Sequence, residues 1–303
     1  MTVGIVLALH KPQHWIEAQL QSIHGQSVSD WHLLIRDDGP VSEITLKLRD
    51  DAVQDTRVTY AQRTSDGFVS NFLQGLMELP EACDWAAFSD QDDIWHPDKL
   101  ARAIASLAPF DGRPALYCSR RVILKSDGRK SLSQVYRRAP SFGNALIENI
   151  APGNTIVLNR AALELARETA GQAMQVFAHD WWLYQLITGV GGAVQYDPAP
   201  TVEYRQHDAN LLGAGEQRRH WFGNKIKVMK GEYRRRLDLQ TAALKQVTSY
   251  LTPENQKLLG DFEIARKQTA LRARLCAMSR LPVYRQAPAS QITFKLALGM
   301  NLV

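Results

Sequence analysis

Three acidic residues stand within four positions of one another, directly after a predicted buried strand. Asp90, Asp92 and Asp93 follow the apolar run that ends at Phe88, and Pro97 comes shortly afterwards. Ionised carboxylates this close repel one another, and a divalent cation removes the repulsion by taking their oxygens as ligands. Mg²⁺ and Mn²⁺ favour such oxygen ligands. The spacing therefore indicates a metal site that can hold a diphosphate.

The same acids also have a structural explanation, because Asp commonly caps the N-terminus of a helix. A helix is predicted to begin at Pro97, and capping is the better interpretation for Asp98. Asp90 and Asp92 lie too far upstream of Pro97 to cap that helix. We therefore predict a functional role for those two residues, and both explanations stay open for Asp93.

The elements that must position these residues alternate between strand and helix. Apolar or β-branched runs predict the strands, and helical spacing of apolar residues predicts the helices between them. Such alternation is typical of a largely parallel, doubly wound α/β sheet. Ligands bind these sheets beyond the carboxyl ends of the strands, so the loops that begin at His10, Asp37 and Asp90 form the candidate site. The predicted strands of this half are Val3–Leu9, His32–Arg36, Val58–Gln62 and Trp85–Ser89.

A second, mixed half of the sheet is predicted next, followed by helices only. Beyond Gly215 the apolar residues recur at helical spacing, with basic residues between them. Thr252 is predicted to cap a helix that begins at Pro253 and continues to Met278. We expect a catalytic domain at residues 1–215 and a basic helical region at residues 216–303. The strands of the second half are predicted at Ala115–Leu124, Thr155–Leu158, Val194–Tyr196 and Thr201–Tyr204.

Composition is that of an ordinary globular protein. Of the 303 residues, 45% are hydrophobic and 22% are charged. Three cysteines without C-x-x-C spacing predict a reducing compartment and no disulfide framework. The chain opens on a strand pattern with no basic leader, and its longest uncharged run, Trp181–Tyr196, is shorter than a membrane-spanning helix. We therefore expect a cytoplasmic protein without a transmembrane segment.

Charge is distributed unevenly along the chain. Residues 218–303 hold 17 Lys and Arg against 5 Asp and Glu. This basic region predicts peripheral contact with the anionic cytoplasmic face of the inner membrane, since a clustered cation gains about 1 kcal/mol there. The alternative is a solvated helical face that packs on the catalytic domain. No nucleic-acid-binding motif accompanies the charge, so nucleic acid is not an expected partner.

The sequence Ser-Asp-Gln-Asp-Asp-Ile-Trp at positions 89–95 resembles the Asp-x-Asp region of family 2 glycosyltransferases with the GT-A fold. It is most similar to rhamnosyltransferase-like members. The resemblance implies a Rossmann-like, mostly parallel sheet flanked by helices, with a C-terminal helical extension. Four further segments match in the family's order and extend the resemblance over residues 3 to about 213: Arg36 to Gly39, Gly67 with Asn71 and Phe72, His179 to Trp182, and Tyr204 to His207 with Asn210.

The resemblance also implies roles in donor and metal binding. The position of Asp38 contacts a pyrimidine base, that of Asp90 helps to hold ribose, and that of Asp92 coordinates Mg²⁺ or Mn²⁺. His207 is either a second metal ligand or a hydrogen-bonding residue in a turn. The other donor-binding positions that the resemblance implies are Leu9, His10, Arg63 and Gln91.

The first loop and the base loop depart from the family's pattern. The first loop reads Leu-His-Lys-Pro where the family usually has Tyr-Asn, and the base loop reads Asp-Asp-Gly-Pro where Ser is commoner. For His10, a strand-end residue in contact with solvent is therefore as good an interpretation as a ligand role.

Asp180 is the predicted general base. Direct sugar transfer with inversion needs one carboxylate to take the proton of the acceptor hydroxyl. The alternative role of Asp180 is the N-cap of a helix over residues 181–188, which would not exclude catalysis. His179, Asn154 and Trp182 are the predicted acceptor-side residues, although tryptophans in an apolar helix, such as Trp181 and Trp182, are more often core.

These observations predict an inverting, metal-dependent glycosyltransferase. Its donor would be a nucleotide-diphosphate sugar, with L-rhamnose from dTDP-rhamnose first among the alternatives and another UDP- or dTDP-sugar next. Its acceptor would be a glycan, lipid-linked or free, in the synthesis of a bacterial surface polysaccharide. A sugar-nucleotide nucleotidyltransferase needs a Gly-rich first loop, which Ala8 to Pro12 does not supply. A non-catalytic sugar-nucleotide-binding module is the remaining alternative.

Overall fold

The computed structural model describes residues 1–206 and 231–303, and within them nine strands form one sheet. The strands are β1 (Thr2–Leu9), β2 (Trp31–Asp37), β3 (Val58–Gln62), β4 (Cys83–Ser89), β5 (Ile94–Trp95), β6 (Ala115–Leu124), β7 (Lys130–Leu132), β8 (Val157–Asn159) and β9 (Ala193–Arg205). The α-helices are α1 (Trp15–His24), α2 (Glu43–Gln54), α3 (Phe68–Glu78), α4 (Lys99–Leu107), α5 (Phe142–Ala145), α6 (Arg160–Thr169), α7 (His179–Gly189), α8 (Glu232–Gln246), α9 (Pro253–Lys267), α10 (Leu271–Ser279) and α11 (Pro288–Gly299).

The first half of the sheet is parallel, in the order β3-β2-β1-β4. Strand β1 lies inside it and is buried on both faces, as central parallel strands are. Leu9 pairs with Asp37 and Leu7 pairs with Ser89. Because the strands end in register, the loops after β1, β2 and β4 emerge at the same edge. The predicted doubly wound half is confirmed.

The second half of the sheet is mixed and continues in the order β8-β6-β9-β5, with β7 beside β6. Strand β8 is antiparallel to both β4 and β6, whereas β9 runs parallel to β6. The two strands predicted around Pro198 and Pro200 are one continuous strand, β9. Its register against β6 shifts at Arg120, because the proline-bearing segment forms a bulge there.

The C-terminal helices pack on the sheet domain and share its hydrophobic core. Leu237, Leu244 and Phe262 are buried in one cluster with Trp182 of α7. The side-chain amide of Gln240 donates to the side-chain oxygen of buried Gln185 at 3.1 Å. Residues 218–230, which carry the start of the predicted basic cluster, lie outside the described residues. In the part that is described, this region packs on the catalytic core.

The helix predicted from Pro253 to Met278 is two helices, α9 and α10. The predicted cap is confirmed, since the Thr252 hydroxyl accepts the Asn255 N–H. Leu271, expected on the buried side, is half exposed. Arg274 is buried instead, because its guanidinium donates to the Leu298 and Gly299 carbonyl oxygens, which end α11. The chain turns between α9 and α10 to make these bonds.

The uncharged run Trp181–Tyr196 is divided between two elements. Helix α7 ends at Gly189, and β9 begins at Ala193. The turn needs glycine, because Gly191 has a φ of 76° and a Cβ on Gly192 would lie 2.5 Å from the Pro114 carbonyl oxygen. No helix in residues 1–206 and 231–303 is long and apolar enough to span a membrane.

Candidate active site

A cavity of about 760 Å³ opens at the edge of the sheet where β1, β2 and β4 end. Its position is the one that the sequence predicts, beyond the carboxyl ends of parallel strands. The predicted site residues that line it are Leu9, His10, Asp38, Asp90, Gln91, Asp92, Asn154, His179 and Asp180. The structure thus brings the acidic cluster after β4 and the acidic residue of α7 into one cavity.

Side-chain hydrogen bonds hold the strand-end loops together. The Gln91 side-chain oxygen accepts the His10 N–H at 2.9 Å, and its amide nitrogen donates to the His10 carbonyl at 3.1 Å. Asp38 lies 2.8 Å from Nδ1 of the His10 ring through one carboxylate oxygen, and its other oxygen accepts the Ser65 hydroxyl. His10 is thus fixed between two loops, although its side chain is 58% exposed.

Asp37 and Asp38 have different environments. Asp37 is fully buried and accepts the Gly39 N–H at 2.8 Å and the Tyr60 hydroxyl at 2.5 Å. These bonds shape the loop after β2. Asp38 lines the cavity instead, with 8% of its side chain exposed.

The acids after β4 divide into cavity-lining and structural residues. Asp90 and Asp92 line the cavity. Asp93 is fully buried and accepts the side-chain amide of Asn154 at 2.5 Å and the Arg205 N–H at 3.4 Å. Asp93 therefore ties the loop to the middle of the fold, and these bonds do not cap a helix. A functional role for Asp93 stays open. Burial and the neighbouring Asp92 raise its pKa to about 7.

The pKa of Asp90 lies well above its usual value. Burial is the largest cause, followed by the charges of Asp93, Asp92 and Asp180. Arg121 acts in the opposite direction but is the smallest of these effects. The wall of the cavity thus concentrates negative charge, which a bound cation would neutralise.

Asp180 lies in the first turn of α7, so the alternative role as the N-cap of this helix is wrong. The helix begins at His179, and Ala178 occupies the N-cap position. One Asp180 carboxylate oxygen accepts the Trp181 N–H at 2.6 Å, and the other accepts the Gly153 N–H at 3.0 Å. Burial raises the pKa of Asp180, and these two bonds oppose the rise. The carboxylate is therefore oriented and more basic than a solvated one.

His179 forms an uncharged part of the cavity wall. Its ring stacks on Phe72 with centroids 4.2 Å apart, and neither ring nitrogen has a hydrogen-bond partner among the described residues. Burial lowers the pKa of His179 to about 3. A Cβ on Gly153 would lie 3.0 Å from Nε2 of this ring, so a side chain there would crowd the wall.

Arg121 lines the cavity and was not predicted from the sequence. Its guanidinium lies over the Tyr204 ring, 4.5 Å from the centroid, and its Nε is buried without a hydrogen-bond partner in the described part of the chain. It forms no ion pair within residues 1–206 and 231–303, although its charge lowers the pKa values of Asp90, Asp93 and Asp180. The available signal was a cation pair, Arg120 and Arg121, inside an otherwise apolar strand.

Two predicted site residues in the described part of the chain, Trp182 and Arg63, do not line the cavity. Trp182 was expected on the acceptor side of the site, but the structure buries it fully in the core. Arg63 is half exposed and lies 3.5 Å from Glu78, away from the cavity lining. His207 lies outside the described residues. Trp181 is also core, with its indole N–H donating to the Ala145 carbonyl at 2.7 Å.

The described residues contain no group of three His, Cys, Asp or Glu side chains close enough to hold a metal ion. The cavity offers the carboxylates of Asp90 and Asp92 instead. Both are hard oxygen ligands of the kind that Mg²⁺ and Mn²⁺ bind. Mg²⁺ in particular is commonly held by one or two carboxylates together with substrate phosphates, so these two residues fit a metal that binds with its substrate.

Comparison with known sequences gives a match over the same region. The model of the family described as Glycosyl transferase family 2 matches residues 5–164. The dTDP-rhamnosyl transferase RfbG of Shigella flexneri is 29% identical over 221 residues, which cover 69% of this chain and 74% of that protein. The succinoglycan biosynthesis protein ExoW of Rhizobium meliloti (strain 1021) is 33% identical over 93 residues, 30% of this chain and 29% of that protein. The resemblance seen in the motifs is confirmed.

Comparison with solved structures supports the fold. TarS of S. aureus, in complex with UDP-GlcNAc, has a TM-score of 0.52 and 11% identity, with 90% of this chain and 83% of that chain covered. The mannosyltransferase PcManGT of Pyrobaculum calidifontis, in complex with GDP-Man and Mn²⁺, has a TM-score of 0.53 and 16% identity, with 99% and 85% covered. The predicted GT-A fold is confirmed.

Proposed function

Because the chain belongs to glycosyl transferase family 2, we propose that it transfers a sugar from a nucleoside-diphosphate donor to a hydroxyl of a glycan acceptor, with inversion. One observation carries the proposal: Asp90, Asp92 and Asp180 come from segments about ninety residues apart and line one cavity. The cavity volume of about 760 Å³ is in the usual range for a small-molecule site.

The donor nucleotide binds at the strand-end loops in this proposal. Asp38 contacts the base, and Asp90 contacts the ribose. The wall beside the nucleotide is formed by Leu9, His10 and Gln91. The hydrogen bonds between Gln91 and His10 fix the two loops before the donor binds, which supports this placement of the donor. A preorganised pocket loses less entropy when its ligand binds.

Asp92 would hold a divalent cation, Mg²⁺ or Mn²⁺, with the Asp90 carboxylate beside it in the cavity. The chemistry of the donor set supports this assignment, because both residues supply only oxygen and Asp93 is already engaged by Asn154. When bound, the cation supplies Lewis-acid stabilisation of the charge that develops on the leaving diphosphate. The guanidinium of Arg121 faces the same charge from β6 and stabilises it further.

Asp180 takes the proton of the acceptor hydroxyl. The hydroxyl oxygen then forms a bond to the anomeric carbon, while the bond from that carbon to the diphosphate oxygen breaks and its electron pair leaves with the nucleoside diphosphate. The N–H groups of Trp181 and Gly153 hold the Asp180 carboxylate in place for this step. Its raised pKa makes it a stronger base than an exposed Asp.

L-rhamnose from dTDP-rhamnose is the donor that we propose, with another dTDP- or UDP-sugar as the alternative. The similarity to the dTDP-rhamnosyl transferase of Shigella flexneri supports rhamnose. The similarity to a succinoglycan biosynthesis protein supports a role in surface polysaccharide synthesis. Exposed Arg234 and Arg235 on α8 are consistent with the peripheral membrane contact that the charge distribution predicts.

The test is donor turnover by the purified chain with a panel of dTDP-, UDP- and GDP-sugars. We expect thermal stabilisation and nucleotide release with dTDP-rhamnose, both lost on chelation and both restored by Mn²⁺. Asp92→Asn should lower turnover on the order of a hundredfold, because several kcal/mol of charge stabilisation are lost. Asp98→Asn is the matched control, since Asp98 is exposed and makes no capping hydrogen bond. Full turnover with chelator present would overturn the metal assignment.

A further inference from the structure

A second cavity, of about 360 Å³, adjoins Asp180. It is lined by the segment around Asn149, by the start of α7, and by side chains from α8 and α11. Asp180 lines both cavities. We propose that this second cavity binds an acceptor glycan that carries an anionic group. The inference rests on the proposed function, because it places the acceptor in the cavity that shares the proposed base with the donor cavity.

Asp180 connects the two cavities, because it lines both of them. A base that takes a proton from the acceptor and faces the donor must be reachable from both sides. Asn149 lines the second cavity, and the Gly153 and Trp181 N–H groups hold the Asp180 carboxylate in place. A hydroxyl entering from this side would therefore meet a carboxylate that is already oriented.

Aromatic rings make the walls of the second cavity suited to a sugar. Phe177, Tyr233 and Phe294 line it, and Phe294 is 3% exposed. The Tyr233 hydroxyl donates to the Ile147 carbonyl at 2.6 Å, which fixes the ring. Pockets with aromatic walls and a few placed polar groups are typical of small-ligand sites.

Two arginines line the second cavity. The guanidinium of Arg236 lies 4.3 Å from the Phe177 ring centroid, and that of Arg285 lies 5.0 Å from the Tyr233 centroid. Nε of Arg285 is buried without a hydrogen-bond partner among the described residues. Arg236 forms an ion pair with Glu232 at 3.5 Å, and the two side chains are 35% and 43% exposed, so solvent screens the pair.

The lining also contains two acids, Glu148 and Asp180, and neither forms an ion pair with these arginines within the described residues. Glu148 already accepts the Gln286 N–H at 2.6 Å and the Asn144 amide at 3.1 Å. Arginine recognises carboxylates and phosphates through paired hydrogen bonds. The ligand chemistry that fits is a sugar ring beside a carboxylate or a phosphate, either a uronic acid in the glycan or the diphosphate of a lipid carrier.

Binding of three small probes tests the inference. The protein is saturated with dTDP and Mn²⁺, and the fluorescence of Trp181, which lines the second cavity, reports binding of methyl glucoside, methyl glucuronide or citronellyl diphosphoglucose. We expect at least one anionic probe to bind ten times more tightly than methyl glucoside. The better of the two anionic probes identifies the source of the charge.

Arg236→Ala should reduce binding of the anionic probe about tenfold, to the level of methyl glucoside, while leaving dTDP affinity unchanged. Arg235→Ala is the matched control, because Arg235 is exposed on the same helix and does not line the cavity. Equal binding of all three probes, no binding of any, or an unaltered Arg236→Ala variant would overturn the inference. Failure of dTDP to bind would count against the proposed function instead, so the two failures are distinguishable.

Discussion

The two cavities that meet at Asp180 are built in different ways. The larger is made by loops at the ends of parallel strands, is rich in carboxylates, and is fixed by side-chain hydrogen bonds such as those of Gln91. The smaller is made largely by helices, is walled by aromatic rings, and carries arginines. If the proposed function holds, the sheet end binds the donor and the helical region determines which acceptor is bound.

The largest effect should come from the residue that both cavities share. Asp180→Asn keeps the shape of the side chain and removes the base, so transfer should fall by about 10²- to 10⁴-fold. The affinity for the donor nucleotide should change by no more than a few fold, as measured by calorimetry alongside initial rates. Transfer at the wild-type rate would show that Asp180 is not the base, and hence that the two cavities do not share a catalytic residue at this position.

A smaller effect is expected from the cation of the larger cavity. Arg121→Met removes a charge that faces the diphosphate, and the donor KM should rise about tenfold to a hundredfold, corresponding to roughly 1.5–3 kcal/mol for a charged hydrogen bond. Arg120→Met is the matched control, because Arg120 donates to the Ser133 carbonyl at 2.7 Å and does not line the cavity. Equal KM values for the two variants would remove Arg121 from donor binding.

The smallest effect concerns stability rather than turnover. Burial lowers the pKa of His179 to about 3, against a usual value of 6.5. Between those values the unfolded chain binds a proton that the folded chain does not, so acidification below pH 6.5 destabilises the fold. The expected loss is about 1.4 kcal/mol per pH unit from this one group.

His179→Phe should remove that contribution while keeping the stacking on Phe72. Urea unfolding of both proteins from pH 7 to pH 4.5 measures the difference in slope. Parallel curves would mean that the ring is protonated in the folded state, and hence that the cavity wall is not uncharged.

The sequence predicted the larger cavity far better than the smaller one. Asp38, Asp90 and Asp92 follow apolar strands, and parallel strands bring their carboxyl ends to one edge. The motif predicted that Asp180 is a site residue, but it did not predict that Asp180 lies inside the first turn of α7. A short polar residue before an apolar helix is also typical of an N-cap.

The smaller cavity could not be predicted in this way because its lining comes from distant segments. Asn149, Phe177, Tyr233 and Arg285 are joined only by packing of the helical region on the core. No spacing along the chain records such contacts. The same difficulty applies to Arg121 in the larger cavity. Its sequence pattern predicts strand β6 but not which of two adjacent arginines, Arg120 or Arg121, lines the cavity.

The most direct test of the central claim is the anomalous signal of Mn²⁺ in a crystal grown with dTDP. The account predicts a peak within coordination distance of the Asp92 carboxylate and of the diphosphate, inside the cavity that Asp180 lines. A nucleotide bound elsewhere, or a manganese peak with neither Asp90 nor Asp92 as a ligand, would contradict it.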